Sequence, residues 1–273
     1  MKPIEEQVIL ITGATDGIGK LTAQRLAEMG ATVRLHGRSR QKGEAVVSEI
    51  AAATGNDRLE YHNADLADLN EVRRLADEIR AATDHLDGLI NNAGVGPGPG
   101  KKRELSRDGY ELRMAVNYLA PFLLTRRLLP LLERAAPARI VNVSSAAQEA
   151  IDFEDVMFEE NYDPMAAYAR SKLALAMFTF ELAERLDPQA VTVNCLHPGS
   201  LLDTKMVRET FGRPQGSAES GAEVEIYVAT DPELEGVTGK YFDRKRESRA
   251  SEPAYDEAAR RKLWRLAEQY IEG

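Results

Sequence analysis

Tyr168 and Lys172 stand four residues apart in the run Tyr-Ala-Arg-Ser-Lys. On a helix, positions i and i+4 share a face, so this spacing sets an ammonium beside a phenol. An unperturbed tyrosine ionises near pH 10, which leaves ~0.1% phenolate at neutrality. A cation ~4 Å away, at an effective dielectric of about 20, contributes roughly 4 kcal/mol, or about three pKa units. A phenol tuned by that amount can exchange protons near pH 7. The pair therefore predicts an acid/base tyrosine whose pKa is lowered by the neighbouring amine. Taken alone, Tyr-x-x-x-Lys is a common surface pattern, and its weight depends on what else the chain carries.

A second group of residues suits a phosphate. Thr12-Gly13-Ala14-Thr15-Asp16-Gly17-Ile18-Gly19 joins an apolar, β-branched run to a segment of helical periodicity. Glycine permits a tight turn and a close backbone approach, and a helix N-terminus offers free N–H groups and a favourable dipole to a pyrophosphate. Gly13, Thr15, Asp16, Gly17, Ile18 and Gly19 form this candidate cradle. The end of the next apolar run, His36-Gly37-Arg38-Ser39, falls where such folds meet the adenosine ribose. An acid there bonds the 2′-hydroxyl of NAD, whereas an arginine accommodates the 2′-phosphate of NADP. Arg38, with Ser39 beside it, predicts NADP(H) over NAD(H). A charge-assisted hydrogen bond supports roughly ten- to a hundredfold preference. Asp16, in the same neighbourhood, works against it.

Three further groups follow later apolar runs: Asp65-Leu66, then Asn91-Asn92-Ala93-Gly94, then Asn142-Val143-Ser144-Ser145. Carboxyl ends of parallel strands are where open sheets bind ligands. Asp65 suits an adenine amine, Asn91 suits bracing of a strand edge, and a serine hydroxyl suits a substrate carbonyl. Each of these also reads as a cap or turn residue.

The elements that must position these residues alternate along the chain. Short apolar runs at 8–12, 31–35, 59–62, 86–91, 139–144, 191–196 and 240–243 predict strands. Helical periodicity fills the intervals at 18–29, 44–53, 69–82, 108–132, 164–186, 221–230 and 255–271. This order predicts an α/β fold: a doubly wound parallel sheet of about seven strands, helices on both faces, in one domain over residues 1–273. Segments 95–100, rich in glycine and proline, and 148–163, acidic and aromatic, read as loops or lids.

Composition narrows the partners. The net charge of −9 argues against nucleic acid and anionic membranes. The one dense basic run, Arg244-Lys245-Arg246 with Arg249, is interrupted by acids and reads as a solvated loop. No apolar stretch approaches the length of a membrane span, and the polar N-terminus is not a signal sequence, so the expected location is cytoplasmic. The single cysteine, Cys195, excludes an internal disulfide and reads as a buried apolar side chain. His36, His62, His85 and His197 are scattered, so no metal site is expected and each reads as structural.

Together, TGATDGIG, NNAG, Asn117 in Ala-Val-Asn-Tyr, Ser144-Ser145, YARSK and Asn194–Gly199 (NCLHPG) resemble the short-chain dehydrogenase/reductase family in its order. The 148–163 insertion and the ending Gly239-Lys240-Tyr241-Phe242 are similar to its retinol-dehydrogenase-like and WW-domain-oxidoreductase-like branch. The resemblance implies hydride exchange between NADP(H) and a small carbonyl compound or alcohol. It implies Tyr168 as general acid and base, Lys172 as pKa tuner and ribose ligand, and Ser145, rather than Ser144, as carbonyl orienter. Asn117 would hold a relay water. Gly13, Gly17, Ile18 and Gly19 would cradle the pyrophosphate, while Asp65, Asn91, Ala93, Gly94, Pro198 and Gly199 would line the nucleotide. It also implies a homodimer or homotetramer. Two departures stand out. Asp203 occupies the usual threonine position, with Thr204 one later, and the Ser145-to-Tyr168 interval of 23 residues exceeds the family's usual spacing. The loop within it, with Phe153, Met157, Phe158 and Tyr162, suits an apolar substrate, or equally plain packing against the domain. A nucleotide-binding sensor or scaffold without turnover is the alternative of another class. An extended-branch epimerase or dehydratase also uses Tyr-x-x-x-Lys, with a shorter glycine spacing.

Overall fold

The computed structural model describes residues 1–272. All four residues of strand β1 (Val8–Ile11) are buried, which is why this strand reads as an unbroken apolar run. Its side chains alternate between two cores. Val8 and Leu10 join the apolar faces of α3 (Leu69–Ala82), α5 (Ala120–Ala135) and α6 (Pro164–Arg185). Ile9 and Ile11 join α1 (Gly17–Glu28), α2 (Arg40–Thr54) and α8 (Ala218–Thr230) on the opposite face. The closing helix α9 (Glu257–Glu272) buries Leu263 and Trp264 in the first core.

The remaining strands are β2 (Thr32–Gly37), β3 (Leu59–Asn63), β4 (Gly88–Asn91), β5 (Ala138–Val143), β6 (Val191–His197), β7 (Tyr241–Asp243) and β8 (Arg246–Ser248). Their order in the sheet is β3-β2-β1-β4-β5-β6-β7-β8. All pairs are parallel except β7 with β8. The strand order reverses direction between β1 and β4. Doubly wound sheets open their ligand crevice at that switch point, at the carboxyl ends of the strands.

The structure departs from the sequence expectation in three places. Among the described residues there are eight strands rather than about seven, because Arg244, at φ 55°, turns the chain back into an antiparallel edge strand. The basic run at 244–246 sits in this exposed hairpin. The long helix expected over 108–132 is broken: Gly109, at φ 86°, holds a turn, and Glu111 caps a short α4 (Leu112–Met114). A π-helical segment (Ala115–Leu119) follows before α5 begins. Third, α7 (Lys205–Phe211) forms where no helix was expected, capped by the Thr204 side chain. Among the described residues no helix is long and apolar enough to cross a membrane, and no His/Cys/Asp/Glu group could hold a metal ion.

Candidate active site

The glycine turn leaves β1 at the switch point and enters α1 through Asp16, whose carboxylate accepts from the Gly17 N–H at 2.8 Å. Gly13 and Gly17 adopt φ of 67° and 50°, the left-handed region that glycine occupies at least cost. Gly19 is required for a different reason. A Cβ there would lie 2.5 Å from the Gly13 carbonyl oxygen, so only glycine lets α1 approach the turn. Two residues with no role read from sequence at this turn, Asn92 and the histidine expected to be structural, His36, brace this geometry. The Asn92 amide donates to the carbonyls of Thr12 and Gly13 at 2.7 and 3.2 Å. His36 accepts from the Gly13 N–H at 3.3 Å through Nδ1, so its Nε2 carries the proton toward the Ala64 carbonyl at 3.1 Å. Burial drives the His36 pKa down to about 4, which keeps this bridge neutral.

Four elements converge at the other side of the crevice. Tyr168 and Lys172 share one face of α6, with the amine 5.8 Å from the tyrosine ring centroid. The Lys172 Nζ donates to the Val143 carbonyl at 2.8 Å. Ser144 is spent on structure, since its hydroxyl donates to the Lys172 carbonyl at 2.7 Å. The Ser145 hydroxyl accepts from the Ala147 N–H at 3.0 Å and also pulls the Tyr168 pKa down. Asn117 lies in the π-helical segment, whose irregular backbone the sequence pattern does not reveal. Its amide clips Val95 through both polar atoms, at 2.8 and 3.0 Å, and donates to Ser171 at 2.9 Å. A Cβ on Gly94 would sit 3.2 Å from Asn117 and 3.3 Å from the Lys172 amine, so glycine admits both groups to the same corner.

One expectation is reversed. Burial outweighs the contact with Ser145 and holds Tyr168 above its ordinary pKa. Burial also drives Lys172 down to about 8, with the Glu225 carboxyl pulling the other way. The amine is engaged by Val143 and is itself half-titrated near pH 8, so it does not supply the full, close cation that the i,i+4 spacing predicts.

Other candidate residues divide by exposure. Arg38 and Ser39 are exposed at the end of β2, and Ser39 caps α2 by accepting from the Lys42 N–H at 3.3 Å. Gly37 is buried, and a Cβ there would meet the Thr15 side chain at 2.7 Å. Asp65 is exposed and caps its own turn through Ala67 at 3.0 Å, while Leu66 is a core residue. Asn91 is 1% exposed, and its amide donates to Asn142 and Thr125 at 2.8 and 3.1 Å. Its side chain braces the sheet against α5 and leaves only backbone for the crevice. The Ala93 N–H is tied to the Thr12 hydroxyl at 3.0 Å. Ile18 packs toward Gly221 of α8, another contact the sequence does not show. Past Pro198 and Gly199, which adopts φ 140°, the chain reaches Thr204. A Cβ on Gly17 would stand 3.4 Å from the Thr204 methyl, so α7 roofs the glycine turn. Cys195 is fully buried, and burial pushes its thiol up to about 12.

Comparison with known proteins agrees with this geometry. The model of the short chain dehydrogenase family matches residues 7–214. Retinol dehydrogenase 13 of Mus musculus is 41% identical, over 96% of this chain and 82% of that protein. Polyprenol dehydrogenase of Mus musculus is 39% identical, over 97% of this chain and 83% of that protein. Among solved structures, a short chain dehydrogenase from Shigella flexneri complexed with NADP superposes with a TM-score of 0.73. It is 30% identical, with 88% of this chain and 98% of that one covered. The chain belongs to the short chain dehydrogenase family, in its retinol-dehydrogenase-like branch, and is an oxidoreductase acting on the CH–OH/C=O couple.

Proposed function

We propose that this chain uses NADP(H) to interconvert an apolar alcohol and its carbonyl compound, with Tyr168 as general acid in reduction and general base in oxidation. The observation that carries the reading is the meeting of Tyr168 and Lys172 of α6 with Ser145 after β5 and Asn117 of the π-helical segment, beside the glycine turn. The turn fits a dinucleotide. It offers the N–H groups of the α1 N-terminus, and Gly17, at φ 50°, holds the left-handed turn that presents them. Gly13, Gly17, Ile18 and Gly19 would hold the pyrophosphate, and Arg38 the 2′-phosphate. When bound, the nicotinamide supplies or takes up the hydride.

The protein's own part is position and proton. Because Tyr168 sits above its ordinary pKa, it holds its proton at neutral pH and is ready to give it to a carbonyl oxygen. Ser145 donates to the same oxygen, where negative charge builds as the carbonyl is reduced. In oxidation Tyr168 must first give up its own proton before its phenolate takes the substrate's hydroxyl proton, and Lys172, titrating near pH 8 on the same helix face, is the group we assign to that exchange. Preference for NADP(H) is supported by Arg38 and by the lack of room at Gly37 for the acid that would select NAD. An apolar substrate is supported by the buried Val156, Met157 and Phe158 of the insertion and by the retinol and polyprenol named for the relatives.

The test is Tyr168→Phe with NADPH and all-trans-retinal as the substrate. Turnover is expected to fall about 10²- to 10⁴-fold, the usual contribution of a general acid, while NADPH affinity holds. Full activity in that variant would overturn the assignment.

A further inference from the structure

Arg113 is 2% exposed, yet it carries a permanent charge. Such a group persists in an interior only when its donors are answered. Its Nε donates to the Gly96 carbonyl at 3.1 Å. Its Nη2 donates to the Pro97 carbonyl at 2.6 Å and to Glu104 at 2.8 Å. Its Nη1 reaches Glu111 at 3.3 Å. One guanidinium therefore pins the glycine- and proline-rich loop at two points and Glu104, just beyond it, at a third. Asn117, four residues on, pins the same loop at Val95. On the other side of this loop, Gly96 lies against Met206 of α7, where a Cβ would fall 2.7 Å from Cγ.

Glu111 extends this cluster to the insertion. It is fully buried, and its Oε2 accepts from the backbone N–H groups of Arg113 and Met114 at 2.7 and 2.9 Å. Its Oε1, already facing Arg113, accepts from the Tyr162 hydroxyl at 3.3 Å. Tyr162 immediately precedes Asp163, the cap of α6, and so stands just outside the helix that carries Tyr168. The insertion has other ties on the same side. Arg103 donates twice to the Met157 carbonyl, at 3.1 and 2.9 Å, and the Arg170 guanidinium lies 4.0 Å from the Phe158 ring centroid. Phe158 and Asn161 adopt φ of 53° and 47°, a strained conformation that surrounding contacts must enforce.

We infer that Arg113 and Glu111 are positioning residues that lock the two substrate-facing loops, 95–104 and 148–163, at a fixed width beside Tyr168, and so set which apolar substrates fit. The pocket wall is built before substrate arrives. Its position depends on one buried ion pair and not on the apolar residues that face the substrate. The substrate-selecting role rests on the oxidoreductase reading above, whereas the locking of the loops does not.

The experiment compares the wild type with Arg113→Met, Arg113→Lys and Tyr162→Phe in the full chain. Amide hydrogen exchange is followed across the molecule, and NADPH affinity is measured by fluorescence. Kinetics with all-trans-retinal and with hexanal report long and short apolar aldehydes. Arg113→Met is expected to speed exchange in 95–104 by about tenfold or more while β1, β4 and β5 keep their protection. NADPH affinity should stay within about twofold, and KM for retinal should rise about tenfold with kcat and the hexanal KM little changed. Arg113→Lys should fall between the two. Tyr162→Phe should loosen 148–163 alone. Exchange that is unchanged, or that rises evenly over the sheet, would overturn the proposal, as would equal losses for both aldehydes. If the wild type reduces neither aldehyde, the substrate reading fails on its own, and the exchange pattern still decides the lock.

Discussion

The two sides of the crevice are built on different principles. At the nucleotide side, the backbone does most of the positioning. Gly13 and Gly17 take left-handed angles, Gly19 admits α1 to the turn, and carbonyls and N–H groups are tied by Asn92 and His36. At the side proposed to hold substrate, long side chains cross between segments. Arg113 reaches back 16 and 17 residues to Pro97 and Gly96, and Tyr162 reaches 51 residues to Glu111. The first arrangement tolerates almost no change in residue type. The second permits a different substrate wall whenever one side chain is exchanged, with the nucleotide side left intact. One fold can thus keep its cofactor and vary its substrate.

The largest break in this comparison is expected at Gly19. In Gly19→Ala the new methyl would press on the Gly13 carbonyl, a backbone atom that cannot rotate away. Overpacking of this kind costs ~1–3 kcal/mol and displaces the turn, so NADPH binding should be lost along with some stability. Gly55→Ala is the matched control. Gly55 has φ 71° but nothing within 4 Å of an added Cβ. It should cost about 1 kcal/mol of backbone strain and leave NADPH affinity unchanged. Urea unfolding and NADPH titration of both variants separate strain from lost cradle. Equal NADPH affinities in the two would break the distinction between the two sides.

The same distinction decides what could be read from the sequence. Backbone demands are written in residue type, so the glycine turn, the strand–helix alternation and the switch-point crevice were legible. Tyr168 and Lys172 were legible because helical spacing alone puts them on one face. Ser145 could be preferred to Ser144 by resemblance, and the geometry supplies a reason: Ser144 is bonded to the α6 backbone. Contacts between distant side chains were not legible. Nothing local marks Arg113 as buried, Glu111 as its partner, or His36 as the brace of the glycine turn. The π-helical segment at Asn117 and the break at Gly109 were hidden because the apolar pattern of 108–132 runs on through them. The direction of the Tyr168 shift was misjudged for a related reason. Spacing reports the neighbouring amine but not the burial of both groups.

Two buried glutamates sharpen the contrast. Glu111, at the substrate side, is answered by two backbone N–H groups, an arginine and a phenol. Glu225, behind the nucleotide helix, receives only the Thr22 hydroxyl at 2.8 Å, and its Oε1 has no partner. Burial raises the Glu225 pKa from 4.5 to about 8. A carboxyl with a raised folded pKa contributes stability that is fully present below its unfolded pKa and is lost as pH rises toward the folded value. Glu225→Gln should therefore match the wild type near pH 4.5 and gain on it progressively up to pH 8, with the difference level above. A gain of about 2 kcal/mol at pH 8 would raise Tm by ~4–8 °C for a chain of this size. Burial holds Glu111 above its ordinary pKa as well, but Glu111→Gln should still destabilise at the same pH, since it removes the charge that faces the buried Arg113. Thermal melts of both variants from pH 5 to 9 check the pair, and a shift of the same sign in both would show that burial alone, not partnering, governs them.

The smallest effect is expected at the rim of the nucleotide side, where exposed side chains rather than backbone surround the place proposed for the ribose. Lys42 donates to Asp16 at 2.5 Å, and that contact holds the Asp16 carboxyl below its usual range. Both side chains are about half exposed, at 49% and 56%, so the pair itself is worth at most about 1 kcal/mol. Its consequence lies in competition. A 2′-phosphate near Arg38 would draw on the same ammonium that Asp16 now occupies. Removing the acid should free Lys42 for the phosphate and also relieve a like charge. Asp16→Asn should therefore tighten NADPH about three- to fivefold with NADH unchanged, and Lys42→Ala should weaken NADPH by a similar factor. Both shifts should shrink at high salt, because exposed charges are screened within ~10 Å at 0.1 M ionic strength. Titration of each variant with both cofactors at low and high salt measures this directly. Equal changes for NADPH and NADH would mean that Asp16 acts only as the cap of α1, and the rim would then join the backbone-governed side of the comparison.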